Sequence, residues 1–162
     1  MSEARFSVSH VRLTSDKPFA DVQAAFERQL GKFDPEVDSA FARGDDPVAI
    51  RGRIETMAGP SGLMLFGITD HGSLLRIVGR PRKAIQYIVG NPLIAAEMTR
   101  HNIGAALYAP LRVLLCETDT GKTCIEYDKP SSLFAQFGHP RVDAVAASLD
   151  KKLEQLAATA TR

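Results

Sequence analysis

The stretch from Lys83 to Leu115, KAIQYIVGNPLIAAEMTRHNIGAALYAPLRVLL, leaves few ways for the chain around it to fold. It reads as a strand, a Gly-Asn-Pro corner, a short helix, an aromatic-proline corner and a second strand. Each residue of the corner has a physical task. Gly90 can take the strained angles of a strand-to-helix turn, Asn91 is a strong N-cap, and Pro92 suits the first helical position, where its missing N–H costs nothing. The helix LIAAEMTRHN is expected to turn Leu93, Ile94 and Met98 inward and Glu97, Arg100 and His101 outward. After Gly104, AALYAP leads into the strand LRVLLCE.

The flanks fit a small sheet with helices. Phe6 to Leu13 reads as a first strand, with Phe6, Val8 and His10 on one face and Val11 and Leu13 on the other, an imperfect alternation that leaves room for a bulge. Ser15 and Asp16 precede Pro18 and a helix whose stripe is Phe19, Val22, Phe26 and Leu30, stopped by Gly31. Residues 34–60 read as a surface insertion: a polar loop to about Asp46, then a helix with a weaker stripe of Val48, Ile50, Ile54 and Met57, broken by Gly52. Leu63 to Thr69 is a continuous apolar run, consistent with a strand buried on both faces. For the following HGSLLRIVG, periodicity leaves helix and strand open. Arg80-Pro81-Arg82-Lys83 is a basic turn. Asp119-Thr120-Gly121 fits a three-residue hairpin loop returning as KTCIEYD. SLFAQFG is a connector, and Pro140 opens a helix with Val142, Val145, Ala146, Leu149, Leu153 and Leu156 on one face, ending in a frayed ATATR.

With 162 residues the chain is expected to form one domain, 1–162, with a hydrophobic share of 44%, ordinary for a globular protein. Twenty Lys and Arg stand against 19 Asp and Glu, without a basic stripe. Nucleic-acid binding is therefore not expected, because phosphate neutralisation supplies most of that affinity. The start, MSEARFSVSH, lacks a signal-peptide pattern, and no run reaches the roughly 18 apolar residues of a membrane span. A cytoplasmic location with free thiols follows as the expectation.

The Gly90-Asn91-Pro92 corner is the first candidate site, since a helix N-terminus suits a carboxylate or phosphate, although capping alone also explains it. A strand of about six residues, roughly 20 Å, separates it from the basic turn. The four histidines show no metal spacing, so neither a metal nor a cofactor is expected. Asp70-His71 is a second candidate, because a carboxylate beside an imidazole can orient it or raise its pKa. Glu97 and His101 lie at i, i+4 as a solvated pair. If Thr118 pairs with Lys122, Cys116 stands opposite Cys124, with Cβ atoms about 4.5–5.5 Å apart against the roughly 3.8 Å of a disulfide, so close but reduced thiols are expected. No nucleophile elbow, Walker or Rossmann glycine pattern is present.

The order TDH…YIVGNPLIA…M…ALYAPLRVLLCE…G…IEYDKPSSLF resembles the bacterial family known as domain of unknown function 302. Its signature is carried here by Asp70, His71, Gly90, Asn91, Pro92, Pro110, Tyr127 and Pro130, over a core of about residues 63–133. The resemblance implies an α+β fold: a two-layer α/β domain of the TATA-binding-protein-like class, mainly antiparallel, with helices on one side and often a homodimer. It also favours a short helix after Asp70-His71. It implies a fold and not an activity. The leading expectation is a non-catalytic domain binding a small molecule, an anion among the candidates, or a partner in a cleft near Asp70, His71 and Gly90–Pro92, with Tyr108 and Arg112 as further lining. An enzyme using Asp70 and His71 for acid–base chemistry, and a purely structural homodimer, are the alternatives.

Overall fold

The computed structural model describes residues 3–162; Met1 and Ser2 of the N-terminal stretch lie outside the described residues. The strands are β1 (His10–Ser15), β2 (Gly31–Lys32), β3 (Met64–Asp70), β4 (Ala84–Gly90), β5 (Leu111–Glu117) and β6 (Thr123–Asp128). They form one sheet in the order β1-β6-β5-β4-β3-β2, antiparallel except for the short parallel pairing of β2 with β3. Of the helices, α1 (Phe19–Glu27), α2 (Glu36–Arg43) and α3 (Pro47–Met57) precede β3, and α4 (His71–Leu74) continues as a tight turn, Leu75–Val78. Then come α5 (Pro92–Thr99), α6 (Pro130–Phe134) and the long α7 (Pro140–Thr161).

Alternation along the strands decides the two layers. Tyr87, Val89, Leu111, Val113, Leu115, Ile125 and Tyr127 point to one face and are buried beneath α1 and α7. The apolar stripes read from the sequence supply the other half of this core: Phe19, Val22 and Phe26 from α1, and Val142, Ala146, Leu149, Leu153 and Leu156 from α7. Full burial of each such leucine is worth roughly 1.5–3 kcal/mol. The fold is thus the two-layer, mainly antiparallel α+β class with its principal helices on one side. The opposite face, carrying His10, Arg12, Gln86, Ile88, Arg112, Leu114, Cys116 and Glu126, has no helix layer of its own among the described residues.

Several local expectations change. The first strand starts at His10 rather than Phe6, and Phe6 and Val8 stand exposed ahead of it. The expected loop before Asp46 contains α2, whose Val37 and Ala40 join Ile50, Ile54 and Met64 in a second, smaller core. ATATR is helical through Thr161, because Ala157 and Ala160 pack into the main core and Ser15 Oγ donates to the Thr161 carbonyl at 2.8 Å. The segment after Asp70 is helical. β3 carries its irregularity between Leu65 and Gly67. Cys116 does pair with Cys124, and Thr118 N–H donates to the Lys122 carbonyl at 2.8 Å.

Candidate functional site

The corner after β4 shapes a cavity. Gly90 is buried, and a Cβ there would lie 3.3 Å from Pro110 Cβ and 3.6 Å from Phe66 Cε2. Asn91 Oδ1 accepts from Leu93 N–H at 2.9 Å, while its Nδ2 donates to the Gly62 carbonyl at 3.0 Å. Both ends of this amide are committed to structure. Beside it opens a cavity of about 310 Å³ lined by Phe33, Phe66, Gly90, Ile94, Pro110 and Leu149, among others. Phe33 and Phe66 stack with ring centroids 4.5 Å apart. Among the described residues lining the cavity, Asp38 alone carries a charge.

Asp70 and His71 do not share this cavity. β3 and β4 are antiparallel, so Asp70 stands opposite Ile85 while Met64 stands opposite Gly90. Five residues of strand, about 17 Å, separate the two ends. The single cleft expected from the sequence is therefore two places. Asp70 caps α4, accepting from Ser73 N–H at 2.9 Å and from Ser73 Oγ, and these hydrogen bonds hold its carboxyl below the ordinary range. Among the described residues no hydrogen bond joins Asp70 to His71, which is exposed. Asp70 shares a polar notch of about 340 Å³ with Ser73, Arg76, Arg82, Lys83 and Glu117. Two of its three cations have local partners: Arg82 bonds Asp119, and Lys83 lies 3.4 Å from Glu117.

Tyr108 and Arg112 line a third space, about 450 Å³, with Ile88, Leu107, Asp128 and Leu133. Ala109, Pro110 and Leu111 border both this space and the corner cavity, so Arg112 lies in the neighbouring cavity, on the uncovered sheet face, rather than among the corner's lining residues. Tyr108 packs edge-on against Phe134 and Phe137. His101 stacks on His139 at 4.8 Å, and Glu97 turns to Arg100 instead.

Sequence reasoning passed over a polar cluster on the uncovered face. Glu126 accepts from Arg12 Nε at 2.8 Å and lies 3.1 Å from His10 Nε2, while His10 Nδ1 lies 3.0 Å from Asp128. Hydrogen bonding to Asp128 and then Glu126 raises the His10 pKa. Burial pulls the Glu126 carboxyl upward, but hydrogen bonds from His10 and Arg12 outweigh it and leave it below its usual range. The signal was available: HVRLTS and TCIEYD place their polar residues two apart, on one face of each strand.

The profile of the family described as domain of unknown function DUF302 matches residues 45–160. Among solved structures, the crystal structure of an uncharacterized conserved protein DUF302 from Bacillus stearothermophilus aligns with a TM-score of 0.66 at 16% identity. The alignment covers 94% of this chain and 98% of that one. At that identity the likeness speaks for the fold alone. No curated protein matches the chain. Among the described residues, no helix is long and apolar enough to cross a membrane.

Proposed function

This chain belongs to the DUF302 family, and from that premise we propose that it is a non-catalytic binding domain holding a small, mostly apolar molecule at the Gly90-Asn91-Pro92 corner. The observation that carries this is the cavity of about 310 Å³ walled by Phe33, Phe66, Ile94 and Pro110. Ligand sites are concave and mainly apolar with few polar groups, and this volume is at their lower end. The anion that a bare helix N-terminus would attract fits less well, because Asn91 already occupies Leu93 N–H and the charged lining residue is acidic. A neutral or cationic ligand is the better match. The acid–base alternative has less support, since Asp70 is bonded to Ser73 and not to His71.

The test uses N-phenyl-1-naphthylamine, a neutral fluorophore that brightens in apolar surroundings. The wild-type protein should enhance its emission saturably, and Ala95→Phe, which fills the cavity from α5, should reduce that enhancement at least about tenfold in affinity, or about 1.4 kcal/mol. No enhancement by the wild type, or equal enhancement by the filled variant, rejects this site.

A second reading, a homodimer through the uncovered sheet face, rests on its own observation. Ile77 is 82% exposed and Leu107 81%, both on segments that border this face. Isolated apolar groups are ordinary at a surface, but here they flank Ile88 and Leu114 on a strand layer without a helical cover. Arg12 and Arg112 accompany Glu126 and Asp128 there, so a two-fold axis could set opposite charges against each other. Light scattering should give twice the chain mass for the wild type and the monomer mass for an Ile77→Lys, Leu107→Lys double variant. A wild-type monomer at high micromolar concentration removes this reading.

A further inference from the structure

The six-stranded sheet sets two thiols and a carboxylate on one patch of its uncovered face. Cys116 on β5 and Cys124 on β6 are direct cross-strand partners, and Glu126 lies two residues beyond Cys124, on the same face. One ligand atom from each of the three lies within 4.8 Å of the others. Cys124 is buried, Cys116 is half-buried and Glu126 is 13% exposed at its side chain. Both thiols approach a single carboxylate oxygen: Cys124 Sγ lies 3.6 Å and Cys116 Sγ 3.9 Å from Glu126 Oε1. The carboxylate oxygen is thus within reach of both thiols, although Cys124 Sγ also lies 3.9 Å from the Ile125 carbonyl.

We propose that Cys116, Cys124 and Glu126 form a binding site for a thiophilic divalent cation of the zinc class. Two thiolates among three donors select such an ion over calcium or magnesium, which take oxygen ligands. In a tetrahedral zinc site with bonds of about 2.3 Å to sulfur, ligand atoms stand about 3.8 Å apart. The present donors need to close by at most about 1 Å, a movement that cysteine side-chain rotation supplies without shifting the strands. Water completes the fourth position, toward the uncovered side.

Arg12 stands beside the site, and charge conservation answers the repulsion it would cause. Binding exchanges the two thiol protons for one divalent cation: both S–H bonds break, two metal–sulfur bonds form, and two protons leave to solvent. No electrons move. The local charge facing Arg12 is the same before and after. Arg12 and His10 meanwhile hold the carboxylate in place, as outer partners of metal ligands do. An ordinary cysteine thiol is mostly protonated at neutral pH, so binding has to displace both protons. The cation, not the surroundings, must displace those protons, and affinity should rise with pH. The hairpin register already opposes the two cysteines, eight residues apart in the sequence; what only the tertiary structure adds is the Glu126 carboxylate held beside them by Arg12 and His10 of β1.

The experiment titrates cadmium into the full chain, reduced with a phosphine and freed of metal by chelator. A sulfur-to-cadmium charge-transfer band should grow to an end point at one equivalent, with two protons released per cation, and zinc should remove the band by competition. Cys116→Ala should abolish most of the band, and Glu126→Gln should weaken binding by more than the about 10- to 100-fold expected for loss of an outer-shell partner. Absence of the band at one equivalent, release of one proton or none, or a band undiminished in Cys116→Ala overturns the site. The proton count on the wild type decides the matter even if a variant does not fold.

Discussion

Gly31→Ala should destabilise the protein by at least about 3 kcal/mol, enough to leave little folded material. The reason is backbone against backbone. A Cβ at position 31 would lie 1.7 Å from the Met57 carbonyl oxygen, and one at Gly59 would lie 2.3 Å from the Gly31 nitrogen. The two glycines sit where the end of the α1 connection passes the turn after α3. The Leu63 carbonyl accepts from Gly31 N–H at 2.9 Å and from Gly59 N–H at 3.1 Å, tying both segments to the start of β3. No side chain can move aside to relieve the clash, so the segments must part and those bonds lengthen. Phe33 follows two residues later, and the corner cavity should lose that wall as well. Gly52→Ala is the matched control: within α3 nothing approaches its Cβ position, and alanine should stabilise the helix there by roughly 0.5–1 kcal/mol. Guanidinium unfolding followed by circular dichroism measures both. A Gly31→Ala midpoint equal to wild type would mean that the close approach is not maintained in solution.

The second large effect belongs to Asn91. As a cap alone, its replacement by alanine would cost about 1 kcal/mol. The structure adds the hydrogen bond from Nδ2 to the Gly62 carbonyl, and leaving a partly buried acceptor without its donor costs about another 1–2 kcal/mol. Asn91→Ala should therefore lose about 2–3 kcal/mol in total. Asn91→Asp separates the two parts, because its carboxylate still accepts from Leu93 N–H but cannot donate to Gly62. It should lose about half as much. Lys152 Nζ also donates to the Ser61 carbonyl at 3.2 Å, so the 58–62 turn is held from α7 as well as from the corner. An aspartate variant as stable as wild type would show that the Gly62 bond contributes nothing and return Asn91 to the role of a simple cap.

These two residues mark how far the sequence could be read. Asn91 and Pro92 announce a helix start by local chemistry, and the helix begins there. The stripes of α1 and α7 and the opposition of Cys116 and Cys124 follow equally from short-range geometry, since 3.6-residue and two-residue periods assign faces without knowledge of the fold. Gly31 looked like the helix stop, but α1 already ends at Glu27 and Gly31 opens β2. Its stronger constraint, a carbonyl 26 residues away in the chain, has no local signature. Residues 34–43 misled for the opposite reason: α2 is short, opens on polar residues and forms because Val37 and Ala40 find Ile50, Ile54 and Met64.

Chain chemistry thus determined most of the elements, the buried stripes of α1 and α7, the capped corner and the family pattern, because each depends on residues within a turn or a hairpin of one another; it missed α2 and overstated the burial of β3, whose far half is exposed. Strand order belonged to the tertiary structure. Pairing β3 antiparallel to β4 carries Asp70 to the Arg82–Lys83 end and leaves Gly90 at the other, dividing one imagined cleft into two places. The corner cavity draws Phe33, Phe66, Ile94, Pro110 and Leu149 from separate parts of the chain, and the Cys116–Cys124–Glu126 patch gains His10 and Arg12 from a strand over 100 residues earlier. Sites of this kind are made where distant segments meet, and the free energy that brings them together is spread over the whole core rather than written in any one stretch.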